Sequence, residues 1–109
     1  MTDSAPWAAI YINAFVTGVS SWSGDLMDVF DVALDQGYFV RKIFVRDPGH
    51  PDAFERMLTV VREDDRFAAV FTPGLIHIDE YTGRRTQLIT QVADLIAAHP
   101  PHITPKVAL

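Results

Sequence analysis

Ala8-Ala9-Ile10-Tyr11-Ile12-Asn13-Ala14-Phe15-Val16 is apolar at every position except Asn13, and its reading decides the fold. An unbroken apolar run of this length, without alternation, fits a strand buried on both faces, as in the centre of a parallel sheet. A parallel sheet needs helical crossovers, so strand-like and helix-like segments should alternate on the C-terminal side of it.

They do. Thr17-Gly18-Val19-Ser20-Ser21-Trp22-Ser23-Gly24 reads as a loop, with Ser23 placed to cap a helix over residues 25–36. On that helix Leu26, Val29, Phe30, Ala33 and Leu34 form one apolar stripe, Asp25, Asp28, Asp31 and Asp35 take other faces, and Gly37 is the stop. Residues 38–45 read as a second strand, closed by Asp47-Pro48-Gly49. Pro51 then starts a helix whose apolar face is Phe54, Met57, Leu58 and Val61, and Phe67-Ala68-Ala69-Val70-Phe71 is a third, fully apolar strand. Residues 73–80 read as a loop, and Leu88, Val92, Leu95 and Ile96 predict a third helix over 82–98, ended by His99-Pro100-Pro101. Pro105 confines any strand near residues 102–107 to a sheet edge. The expectation is one α/β domain over residues 1–109, with 1–6 as a flexible N-terminus. It is a three-layer sandwich in which a mostly parallel four-stranded sheet carries helices on both faces.

The chain has 109 residues, 49% hydrophobic and 21% charged, enough for one core and far from the composition of disordered chains. The absence of cysteine excludes disulfides, thiolate metal sites and cysteine nucleophiles. The N-terminal residues lack a basic region followed by a long apolar run, so a cytoplasmic protein without targeting or membrane span is expected. A net charge of −5 disfavours general nucleic-acid affinity, which is built from Lys and Arg displacing counterions. Only local groups could supply it: Arg41, Lys42 and Arg46, and Arg84 with Arg85. Arg41 and Lys42 would point to opposite faces of a strand, which favours solvated surface charge.

In order, Tyr11-Ile12-Asn13-Ala14-Phe15-Val16, Asp35-Gln36-Gly37-Tyr38, Val45-Arg46-Asp47 and His50-Pro51-Asp52-Ala53-Phe54-Glu55-Arg56-Met57-Leu58 follow a known pattern. The chain resembles the N-terminal catalytic domain of the serine recombinases (resolvases and invertases). That family has a strand ending in Tyr-x-Arg-Val-Ser-Thr, a helix ending near Gln-Gly-Tyr, a strand with an acidic turn, and an Arg-Pro-x-Phe helix start. The resemblance covers roughly residues 8–107 and implies a resolvase-like fold. It also implies lost chemistry. Phe15 stands at the position of the nucleophilic serine, Asn13 and His50 at arginine positions, and Leu75 and Ile76 where the family has Asp-Arg. Phosphoryl transfer needs both the nucleophile and the arginines that neutralise the phosphate, so the resemblance implies a pseudoenzyme, not an enzyme. The family's long dimerisation helix and DNA-binding domain have no counterpart. Association is therefore expected through another surface, around apolar residues such as Trp22 or Leu75.

Other constellations are weaker. Ser20, Ser21, Trp22 and Ser23 form a candidate anion or partner loop, but no phosphate-loop motif is present and Asp25 would repel an anion. His77, Asp79 and Glu80, and His99 with His102, lack diagnostic metal spacing, and no Gly-x-Ser-x-Gly marks a hydrolase. No metal and no cofactor are expected. Three functions are carried forward. The favoured one is a non-catalytic interaction module that self-associates, as a dimer, or binds a protein. The others are an accessory DNA-binding protein using Arg41, Lys42, Arg46, Arg84 and Arg85, and a small-ligand or phosphate-binding protein using the crevice at the carboxyl ends of its strands.

Overall fold

The computed structural model describes residues 5–18, 22–78 and 82–107. Among these the elements run β1 (Trp7–Asn13), α1 (Ala14–Thr17), α2 (Trp22–Asp35), β2 (Phe39–Arg46), α3 (Ala53–Glu63), β3 (Phe67–Thr72), a 3₁₀ turn (Leu75–His77), α4 (Arg84–Thr90), β4 (Asp94–Ala97) and β5 (His102–Thr104). The strands form one five-stranded sheet in the order β2-β1-β3-β4-β5. β1 to β4 are parallel, and β5 is antiparallel to β4 at the edge.

β1 is central, as its apolar run requires. Its side chains alternate into two cores: Ala8, Ile10 and Ile12 pack with Ala69, Phe71 and Ile96 against Val29 and Ala33 of α2. Ala9 and Tyr11 pack with Val70 and Leu95 against Phe54, Met57, Leu58 and Val61 of α3 and Ile89 of α4. This helix distribution follows from the strand order. The chain steps from β1 to β2 in one direction and back past β1 to β3 and β4 in the other. Right-handed crossovers then place α2 on one face and α3 and α4 on the opposite one. At this reversal the connections that follow β1 and β3 leave toward opposite faces of the sheet, the place where such sheets form a crevice outside the carboxyl ends of their strands.

α2 ends as Gly37 signals. Its φ is +85°, its N–H donates to the Leu34 carbonyl (2.9 Å) and the Tyr38 N–H donates to that of Ala33 (3.0 Å), a Schellman closure.

Three expectations are corrected. The sheet has five strands among the described residues, not four. The third helix stops at Thr90, and Asp94–Ala97 is β4. Val92, Leu95 and Ile96 mimic helical spacing, yet Leu95 and Ile96 enter opposite cores, so the run is the continuous apolar pattern of a strand covered on both faces. β1 ends at Asn13, where α1 begins, and does not extend to residue 16. Smaller shifts occur elsewhere: α2 starts at Trp22, placing Ser23 inside the helix and not at its cap, and residues 75–77 of the expected loop form a 3₁₀ turn.

Candidate functional site

The crevice is built outward from Asn13, the last residue of β1. Its side-chain oxygen accepts the Phe15 N–H (3.1 Å), which caps α1, and its own N–H donates to Nδ1 of His77 (3.0 Å) in the 3₁₀ turn after β3. The two strand ends are thereby tied together. A ring nitrogen that accepts this bond carries no proton, so the neutral tautomer of His77 is protonated at Nε2. Only 3% of His77 is exposed, and burial holds it below the ordinary imidazole value, with the Asp25 carboxylate partly opposing.

A cleft of about 320 Å³ opens beside this tie. Asn13 and Arg46, at the ends of β1 and β2, form one wall; Ile76 and Ile78 form another; Thr82, Arg84 and Arg85, at the start of α4, complete it. Arg46 is fixed in place: its Nε donates to the Pro51 carbonyl (3.3 Å) and its guanidinium lies 5.2 Å from the centre of the Phe15 ring. The Arg85 guanidinium stacks 4.8 Å from the Phe54 ring centre, and the Thr82 hydroxyl oxygen accepts the Arg84 N–H (3.2 Å). Among the described residues the lining holds three cationic groups and no carboxylate.

Tyr11 belongs to the same neighbourhood. It is fully buried, packed edge-on against Phe54 (5.6 Å between ring centres), and its hydroxyl has no hydrogen-bond partner among the described residues. Burial pushes that hydroxyl above its ordinary 10, while Arg46 and Arg85 pull it down and Glu55 adds to the rise. A buried hydroxyl without a partner costs about 1–3 kcal/mol. Tyr11→Phe is accordingly expected to stabilise the protein, in the absence of ligand, by about 1 kcal/mol in urea titration. A loss of stability instead would mean that the hydroxyl is already satisfied.

The residues singled out in the sequence divide. Asn13 and Ile76 line the cleft, Phe15 flanks Arg46 with 53% of its surface exposed, and Arg46, Arg84 and Arg85 converge from two distant segments. His50 is not part of it. It sits beyond β2, with Nδ1 3.0 Å from Asp47 Oδ1, and lines a neighbouring depression of about 450 Å³ with Trp22 and Lys42. Leu75 packs on the core of the α3/α4 face and Trp22 on the other core, so neither is the exposed apolar surface expected. Arg41 lies away from the cleft, 5.1 Å from the Trp7 ring centre, where Arg66 also stacks at 3.9 Å. A bulge sets Ala8 opposite Val40 and Ala9 opposite Lys42, so Arg41 has no partner on β1, and the simple alternation behind the opposite-face expectation is broken there.

Ser20, Ser21, Asp79 and Glu80 lie outside the described residues. His99 and His102 flank the turn between β4 and β5. No group of three or more His, Asp or Glu among the described residues is placed to hold a metal ion, and no helix among them is long and apolar enough to cross a membrane. Sequence reading missed the buried Tyr11 hydroxyl, because an apolar strand gives a tyrosine no distinguishing mark. It also missed that the segments around Arg46 and Arg84 meet. The chain matches no family model and no curated protein.

Proposed function

We propose that this protein is a non-catalytic binding domain for small anionic ligands, which it takes at the carboxyl ends of β1 and β2. The observation that carries this reading is the meeting of Arg46 and Arg84 at one cleft at the carboxyl ends of the strands, where Arg85 also lines the wall while keeping contacts of its own. The Arg46 guanidinium, held by the Pro51 carbonyl and stacked on Phe15, loses little freedom when an anion arrives, and charge-assisted hydrogen bonds are the strong ones. The non-catalytic part of the reading rests on the resemblance to serine recombinases. Phe15, Asn13, His50, Leu75 and Ile76 stand where that family carries its serine, arginines and aspartate, and the resolvase-like assignment itself belongs to this proposal.

Thermal unfolding with inorganic phosphate tests it. At about ten times the dissociation constant, binding adds about 1.4 kcal/mol, which raises the melting temperature by about 5–10 °C for a chain of this size. Arg84→Ala is expected to weaken phosphate binding about 10- to 100-fold in calorimetric titration, and an unchanged affinity would defeat the assignment.

Self-association as an interaction module is the second reading. It is supported by β2, an eight-residue edge strand that exposes Phe39 and Ile43. Light scattering separates this reading from a monomeric binding protein. The accessory DNA-binding reading loses support, because Arg41 does not join the basic cluster at the cleft.

A further inference from the structure

We infer that two copies of this chain join through the outer edges of their β2 strands, antiparallel and with Ile43 on the two-fold axis, so that two five-stranded sheets continue as one; this rests on the self-association reading above. Among the described residues β2 pairs with β1 alone, which leaves the outer edge of an eight-residue strand unpaired. The opposite edge is built differently. There β5 has three residues and Pro105 follows it directly, the short, proline-flanked form in which sheet edges are closed to further pairing.

The edge of β2 also has room beside it. Paired residues share a face of the sheet, so pairing with Ile10 and Ile12 sets Ile43 and Val45 on the face covered by α2, and pairing with Tyr11 sets Phe44 on the face covered by α3 and α4. Ile43, Val45 and Trp22 line the depression of about 450 Å³ from the first face, and Phe44, Ala53 and Arg56 line it from the second, so the depression straddles the edge. A strand laid along it sends alternate side chains to the two walls. Ile43, 43% exposed, is the apolar side chain that such a strand covers.

The charges of β2 favour a second copy as that strand and select one register. In an antiparallel pair related by a two-fold axis, opposite residues share a face, so the axis passes through a residue and not between two. The bulge at Arg41 leaves residues 42–46 as the regular part of the strand. An axis at Lys42 or at Arg46 sets two cations face to face, and one at Phe44 sets Lys42 against Arg46 twice. An axis at Val45 sets Ile43 against the Asp47 carboxylate. With the axis at Ile43, that side chain meets its own counterpart, and Lys42 lies opposite Phe44 on both sides, an apolar and cation–π pairing without opposed like charges.

Sedimentation velocity of the whole chain as a function of concentration, together with oxidative cross-linking of single-cysteine variants in a chain that has no cysteine of its own, tests the inference. Ile43→Cys is expected to oxidise to a disulfide-linked dimer, because facing residues of antiparallel strands lie within the separation a disulfide spans. Leu34→Cys, equally accessible but on α2, should stay monomeric on denaturing electrophoresis. Ile43→Lys should weaken dimerisation at least about tenfold by opposing two like charges, with its far-ultraviolet circular dichroism unchanged. A monomer at every concentration would remove the self-association reading together with the inference. A dimer in which Leu34→Cys cross-links as readily as Ile43→Cys, or which Ile43→Lys leaves intact, would overturn the edge pairing and leave self-association standing.

Discussion

Phe71→Ala is expected to lower the free energy of unfolding by about 3–5 kcal/mol, a large part of the roughly 5–15 kcal/mol that holds a domain of this size together. Phe71 is fully buried in β3, and it packs edge-on against Tyr38 with ring centres 5.1 Å apart. It sits in the core shared by β1, β3 and β4 beneath α2, the single helix that covers that face among the described residues. Removing the ring forfeits both the burial and the aromatic contact, and α2 cannot collapse into the void without leaving β1. Urea titration measures the effect through the transition midpoint at constant slope. A loss below about 1 kcal/mol would mean that this face of the sheet is repacked with ease.

His77 gives the second large effect, and it is pH-dependent. His77→Ala leaves the buried Asn13 N–H without an acceptor, which costs about 1–3 kcal/mol, and the lost ring volume adds to this. In the native protein His77 is held below its ordinary value of 6.5, chiefly by burial. The unfolded chain therefore takes up the proton first as pH falls. Stability is complete above about pH 6.5, declines as pH drops through that value toward the lower native one, and levels off beneath it. The slope in that window is at most about 1.4 kcal/mol per pH unit. Comparing the urea midpoints of the native chain and the alanine variant at pH 5.5 and 7.5 isolates this group. The variant should lose that part of the pH dependence, and an identical dependence in both would show that another group titrates.

The tie between Asn13 and His77 also shows what the sequence could and could not convey. β1, α2, β2, α3 and β3 were legible because each rests on a periodic or continuous apolar pattern that local physics interprets correctly. β4 was not, because Val92, Leu95 and Ile96 satisfy the helical spacing, and only the sheet's tertiary context sends Leu95 and Ile96 to opposite faces. The candidate site was legible in parts. Arg46, Arg84 and Arg85 stood out as basic groups, but their meeting depends on the reversal of strand order at β1, which no local pattern encodes. Asn13 stands in the sequence where the resemblance puts an arginine, and in the structure it is the residue that caps α1 and anchors the turn after β3. Tyr11 was hidden because its ring belongs to the core and only its buried, unpartnered hydroxyl sets it apart from the apolar residues around it.

The central place of β1 also governs how the chain reaches its native state. β1 is the first strand among the described residues, and both strands that pair with it, β2 at residues 39–46 and β3 at residues 67–72, come later in the chain. During synthesis its apolar segment has to wait for residue 46 before β2 can pair with one edge and for residue 72 before β3 can pair with the other. Such non-local pairing makes folding slow and leaves sticky backbone uncovered in the interim. The arrangement that places β1 at the heart of the finished sheet thus leaves one of its edges open until β3 has been made.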